Sequence, residues 1–136
     1  MSNFKKIIQK IVRGSTNCLA VNVPYNDLEV LIEIFDCVFV LDHEKEIYRH
    51  RSLVYRESYD SLGSLPDIKL IMCNEKELIN FSKFLPIIGK TKPDFCILQG
   101  THIKPEYSKE LLGAGYMDIH KRKHFQFWRH RGKNKK

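Results

Sequence analysis

The chain has 136 residues, of which 43% are hydrophobic and 29% charged. That composition supports one domain with a single core and argues against disorder. The net charge of +7 is unevenly spread: residues 1–13 carry Lys5, Lys6, Lys10 and Arg13 and no acid, residues 119–136 carry eight basic side chains and no acid, and residues 14–118 hold 11 basic and 16 acidic side chains. A mildly acidic body with basic ends says more about partners than about fold. Cys18, Cys37, Cys73 and Cys96 each lie inside an apolar stretch, and no Cys-x-x-Cys is present. They are expected as free thiols packed as small hydrophobes, which suits a reducing compartment. The longest apolar region, residues 28–41, is broken by Glu29, Glu33 and Asp36, and Lys6, Gln9 and Lys10 interrupt any signal-peptide core. No transmembrane segment is therefore expected, and an intracellular, cytoplasmic location is.

Taken in chain order, Phe4, Ile7, Ile8, Ile11 and Val12 fall at helical spacing with lysines on the other face, and Gly14 follows. The spacing predicts an amphipathic helix over residues 1–13, packed on the core or, as a second reading, lying on a membrane surface. Cys18–Val23 is a short apolar run bounded by Asn17 and Pro24, expected as a buried strand. Asn26 or Asp27 is suited to capping the next helix, whose apolar face is Leu28, Leu31, Ile32 and Phe35. Cys37–Leu41 predicts a second strand ending at Asp42; residues 43–50 allow only a short helix; Ser52–Glu57 predicts a weaker third strand.

Ser58–Asp67, with Gly63 and Pro66, is expected as a loop. Ile68–Cys73 predicts a fourth strand and Glu75–Ile88 a helix, distorted at Pro86 and stopping near Gly89. Asp94–Gln99 predicts a fifth strand, and residues 105–112 a helix with Pro105 at its start. Tyr116–His120 and Phe125–His130 read as two strands joined through Lys121-Arg122-Lys123, with residues 132–136 a basic disordered tail. Apolar strands alternating with helices imply an α/β domain over residues 1–131. The expected architecture is a three-layer, Rossmann-like open sheet, mostly parallel, closed by a C-terminal antiparallel hairpin.

In such a sheet, ligands bind beyond the carboxyl ends of the strands, at a switch point. The residues expected there are Asn22, Pro24, Tyr25 and Asn26; Asp42 and His43; Glu57, Ser58, Tyr59 and Asp60; Asn74 and Glu75; and Gly100, Thr101 and His102. Asp42 stands out, because a carboxylate ending the second strand can accept both hydroxyls of a ribose. Metal chemistry is not expected: His120 and His124 on strands would stand about 13 Å apart. No phosphate-binding glycine loop occurs either.

The order of five apolar strands with helices between them, followed by a terminal strand pair, resembles the class I S-adenosylmethionine-dependent methyltransferases over residues 15–131. The resemblance implies S-adenosylmethionine as cofactor and Asp42 at the ribose. It also implies Ser58, Tyr59 and Asp60 near its adenine, and Asn74 and Glu75 facing the methyl group and its acceptor as catalytic residues; Asn22, at the end of the first strand, is expected to bind the cofactor in the same crevice. The turn after the first strand departs from the family pattern: Val23-Pro24-Tyr25-Asn26-Asp27 contains no glycine, and proline offers a ligand no N–H. The implied activity is thus a methyltransferase-like domain binding S-adenosylmethionine or a related nucleoside through a degenerate turn.

A different class of function comes from the basic end. Lys121, Arg122, Lys123, Trp128, Arg129 and Arg131 interleave cations with an aromatic, a pattern suited to phosphates and unpaired bases. A non-catalytic module binding RNA or DNA is the alternative. Phe125 and Phe127, which share one strand face, are expected in the core.

Overall fold

The computed structural model describes residues 6, 8–9, 17–21, 23, 25–41, 53–56, 67–74, 81–100, 103, 105–121 and 125–131. Among these residues, seven strands form one sheet. In chain order the elements are β1 (Asn17–Val21), α1 (Tyr25–Ile34), β2 (Cys37–Leu41), β3 (Leu53–Arg56), β4 (Ile68–Asn74), α2 (Phe81–Thr91), β5 (Phe95–Gln99), α3 (Pro105–Gly113), β6 (Tyr116–Lys121) and β7 (Phe125–His130). The sheet order is β3-β2-β1-β4-β5-β7-β6. The first five strands run parallel, and β7 is antiparallel to both β5 and β6. This is the Rossmann-like α/β architecture expected from the alternation of apolar runs.

The strands are apolar on both faces because both faces are covered. Leu19, Val21, Phe39, Leu41, Ile71, Cys73, Cys96, Leu98 and Trp128 pack on one face with Ile88 from α2 and Tyr107 and Leu111 from α3. Cys18, Ala20, Val38, Val40, Leu70, Met72, Ile97 and Phe127 pack on the other with Leu28 and Leu31 from α1. Successive strand residues alternate between these layers, as the two-residue period of a strand requires. Ile8, helical and fully buried, joins the α1 layer while Lys6 and Gln9 are exposed, as expected of a helix packed on the core. None of the four cysteines forms a disulfide; Cys18, Cys73 and Cys96 are buried and Cys37 is half-buried.

Most element ends shift by one or two residues from expectation, and three of the differences bear on the site or the helix ends. The helix α1 begins at Tyr25, so Asn26 and Asp27 lie in its first turn instead of capping it. Strand β4 extends to include Asn74. Helix α2 runs through Pro86 and past Gly89 to Thr91. Gly89 does not stop it; Lys92 does, at φ 46, with its N–H donating to the Ile88 carbonyl at 2.9 Å. That is a left-handed helix end in which lysine stands where glycine is more usual. The segments 43–50 and 75–80, expected as helical, lie outside the described residues.

The terminal hairpin is tied firmly to the sheet. Tyr116 donates its hydroxyl to the Pro93 carbonyl at 2.7 Å. Its ring meets that of His130 in a T-shaped pair, with centroids 5.0 Å apart. Gly115, at φ 97, leads into β6 in a conformation that L side chains rarely adopt, and a Cβ there would come within 3.1 Å of His130 Nε2.

Candidate functional site

The strand register brings the carboxyl ends of the central strands level. Val21 pairs with Leu41 on one side and with Cys73 on the other; Cys73 pairs with Leu98 and Asn74 with Gln99. The chain proceeds outward from β1 through β2 to β3, then returns to the other side of β1 with β4. The switch point therefore falls between β1 and β4, where ligands of open α/β sheets bind.

At that edge three polar side chains form a chain of hydrogen bonds. Asn74 Nδ2 donates to Gln99 Oε1 at 3.1 Å. Gln99 Nε2 in turn donates to Asp27 Oδ2. Asn74 ends β4, Gln99 ends β5 and Asp27 stands in the first turn of α1, so the bonds tie β5 to α1 at the switch point. Asp27 is 7% exposed and is the one buried charged side chain among the described residues. The Gln99 amide offsets part of its desolvation, and the N-terminal end of α1 favours a negative charge. Gly100, at φ 144, lets the chain turn immediately after Gln99.

Of the residues expected from sequence, Asn74 is thus placed at the carboxyl edge, half-buried and bonded to Gln99. Asn22, Asp42, Tyr59, Asp60 and Glu75 lie outside the described residues. Asp27 and Gln99 were not anticipated as site residues. Their signal was a polar residue closing an apolar strand and the first acid of the chain falling in the turn after β1.

The basic end requires a correction. Trp128 is 1% exposed and packs in the α2–α3 layer, where its Nε1–H meets Gln126 Oε1 at 3.3 Å. It cannot stack on a base, because the position faces the core on a strand paired on both sides. Arg129 is half-buried: Nη2 lies 3.8 Å from Met117 Sδ, and Nε is buried with no hydrogen-bond partner among the described residues. Arg131 is exposed. Arg122 and Lys123 lie outside the described residues, as do the Lys121 side chain and the tail over residues 132–136.

Strand pairing also divides the basic end in two. Phe125 pairs with Gln99 and Lys121 with Gln126, so the backbone of Lys121 is at the carboxyl edge with Asn74 and Gln99. Arg129 pairs with Phe95 at the opposite edge. Four residues of strand, about 13 Å, separate Phe125 from Arg129. Phe125 and Phe127 share the α1 layer as expected, Phe127 fully buried.

Burial also removes two groups from nucleophilic chemistry. Desolvation pushes the Cys96 thiol up to about 12 and the Cys18 thiol higher still. Among the described residues no group of three or more His, Cys, Asp or Glu side chains is placed to hold a metal ion, and no helix is long and apolar enough to cross a membrane.

No protein-family model matches the sequence, and no curated protein matches it. Solved structures do. A precorrin-6y C5,15-methyltransferase from Geobacter metallireducens superposes with a TM-score of 0.69 at 10% identity, covering 93% of this chain and 86% of that one. Magnesium protoporphyrin IX methyltransferase from Synechocystis, with S-adenosylmethionine bound, gives 0.64 at 10% identity over 94% of this chain and 76% of that one. The MycE methyltransferase of the mycinamycin pathway, in complex with magnesium and S-adenosylhomocysteine, gives 0.71 at 9% identity over 95% of this chain and 45% of that one. The chain has the methyltransferase-like Rossmann fold of these proteins. At such identities the likeness is one of fold.

Proposed function

We propose that this domain binds S-adenosylmethionine or a closely related nucleoside at the β1–β4 switch point and acts as a methyltransferase. The observation that carries this reading is the polar constellation Asp27–Gln99–Asn74, gathered at that point in a methyltransferase-like sheet. Its donors and acceptors suit an amino-acid and nucleoside ligand, which carries an ammonium group, hydroxyls and ring nitrogens. Asp42, next in sequence to Leu41 at the end of β2, is proposed to accept the ribose hydroxyls. Asn22, Tyr59 and Asp60 are proposed to complete the nucleoside contacts.

When bound, the cofactor supplies an activated methyl group; the protein's work is positioning. Asn74 is proposed to orient the methyl acceptor by hydrogen bonding, and Glu75, next in sequence, to take its proton. The absence of glycine from the turn Val23–Asp27 points to binding that relies on side chains more than on backbone N–H groups. Titration calorimetry with S-adenosylhomocysteine tests the reading. Saturable one-to-one binding, weakened by Asp42→Ala, is expected; no heat at millimolar ligand would overturn it.

A second reading concerns the acceptor. The position of Lys121 on the same sheet edge as Asn74 favours an anionic acceptor such as RNA or DNA, engaged by Lys121, Arg122 and Lys123. Trp128 has no part in it, and Arg129 and Arg131 belong to the far edge. Binding of an oligonucleotide should weaken steeply with salt and with neutralisation of residues 121–123. Affinity indifferent to salt would refute this reading.

A further inference from the structure

The proton directions within the Asp27–Gln99–Asn74 chain are fixed by chemistry. A carboxylate can only accept hydrogen bonds, whereas each amide has one accepting and one donating end and is free to present either. Asp27 as a carboxylate therefore obliges Gln99 to present Nε2 to it. Gln99 must then present Oε1 on its other side, and that oxygen obliges Asn74 to turn Nδ2 toward it. Two accepting oxygens would repel, so Asn74 keeps Nδ2 and not Oδ1 toward Gln99. The orientation set by Asp27 on α1 is thereby passed across two side chains to the end of β4.

We infer that Asp27 and Gln99 are positioning residues that lock the Asn74 amide in one orientation, so that any ligand group reaching Asn74 Oδ1 must bring an N–H or O–H. This rests on the proposed methyltransferase reading and deepens it: a methyl acceptor held at Asn74 Oδ1 is an amine or a hydroxyl. Three features separate the arrangement from ordinary surface polarity. Asp27 is more than nine-tenths buried, so its charge requires the Gln99 bond. The two bonds join three different elements, β4, β5 and α1. All three residues stand at the switch point.

The test uses the full chain and two variants, Asp27→Asn and Gln99→Met. Asp27→Asn keeps the shape but lets Gln99 turn over; Gln99→Met keeps the length and removes both bonds. The first readout is independent of any ligand: the side-chain NH2 signals of Gln99 and Asn74 in nitrogen–proton NMR spectra. The wild type is expected to show one sharp pair for each residue. Asp27→Asn is expected to broaden or split both pairs, with backbone signals far from the site unmoved. Gln99→Met is expected to shift the Asn74 pair. Unchanged Asn74 signals in both variants would overturn the inference.

The second readout is affinity for S-adenosylhomocysteine and for sinefungin, in which an amine on carbon replaces the sulfonium and its methyl. Both variants are expected to weaken sinefungin about tenfold, as loss of a hydrogen bond to a charged or polar partner does, and S-adenosylhomocysteine by less. Equal losses for the two ligands, or none, would reduce the chain of bonds to a structural tie and overturn the positioning role. If the wild type binds neither ligand, the methyltransferase reading falls, and the NH2 spectra alone then decide whether Asp27 and Gln99 lock the Asn74 amide.

Discussion

Replacing Gln99 with leucine is the sharpest test of how the carboxyl edge is held together. The side chain is similar in size, so the main change is the loss of two hydrogen bonds. The bond to Asp27 involves a charged acceptor, worth about 1.5–3 kcal/mol, and the bond to Asn74 joins two neutral amides, worth about 1 kcal/mol. Asp27, 7% exposed, would be left with a desolvated carboxylate beside an apolar group. Gln99→Leu should therefore destabilise the domain by about 3 kcal/mol, a large share of a small domain's stability. The asymmetry between breaking a bond and removing both partners gives the argument its control. Asp27→Leu combined with Gln99→Leu should cost less than the sum of the two single changes by about 2 kcal/mol. Urea denaturation followed by fluorescence measures this directly, because Trp128 is the only tryptophan and is buried in the core. A cost below about 0.5 kcal/mol for Gln99→Leu, or simple additivity in the double variant, would refute the reasoning.

Three further outcomes follow from burial and backbone geometry. Gly115→Ala should destabilise by about 1–2 kcal/mol in the same urea assay, since it combines a positive φ with a Cβ 3.1 Å from His130 Nε2. In the native protein Cys37 should be alkylated before Cys18, Cys73 and Cys96, as followed by mass spectrometry, because it alone is not fully buried. Stability should fall as pH rises above about 9. The Cys96 thiol titrates near 9.0 when unfolded and near 12 when buried, so the unfolded chain releases its proton first and gains by about 1.4 kcal/mol per pH unit across that window. Cys18 acts in the same direction. Denaturation midpoints between pH 7.5 and 10.5 check the slope.

Much of the fold was legible because the strands are continuous apolar runs. CLAV, CVFVL, LIMC and FCIL are too short for helices, and they mark β1, β2, β4 and β5 with small boundary errors. The hairpin was legible from alternation about Phe125 and Phe127. Helix ends were less so. Gly89 looked like a stop, yet α2 continues to Thr91, whose hydroxyl donates to the Ile87 carbonyl at 2.7 Å, and Lys92 takes the left-handed position. Local signals name residues able to end a helix; tertiary packing selects among them.

The site was legible in part. Asn74 could be placed from the end of its strand, whereas the switch point needed the sheet order. Asp27 and Gln99 are 72 residues apart in sequence, and no local pattern relates them. Only the crossover that sets β4 and β5 beside β1 brings them together. The basic end misled for the same reason. A run of cations with an interleaved tryptophan looked like one surface, but a strand alternates its side chains between faces and carries its two ends far apart. Trp128 was thereby committed to the core and Arg129 to the far edge.

The central claim is that the β1–β4 switch point takes an adenosyl ligand. Backbone chemical-shift mapping with S-adenosylhomocysteine tests it most directly. The account predicts saturable shifts concentrated at Val21, Asp27, Leu41, Asn74, Gln99 and Gly100, with Phe95 and Arg129 unmoved. Shifts centred on Phe95, Arg129 and Arg131, or none at millimolar ligand, would contradict it.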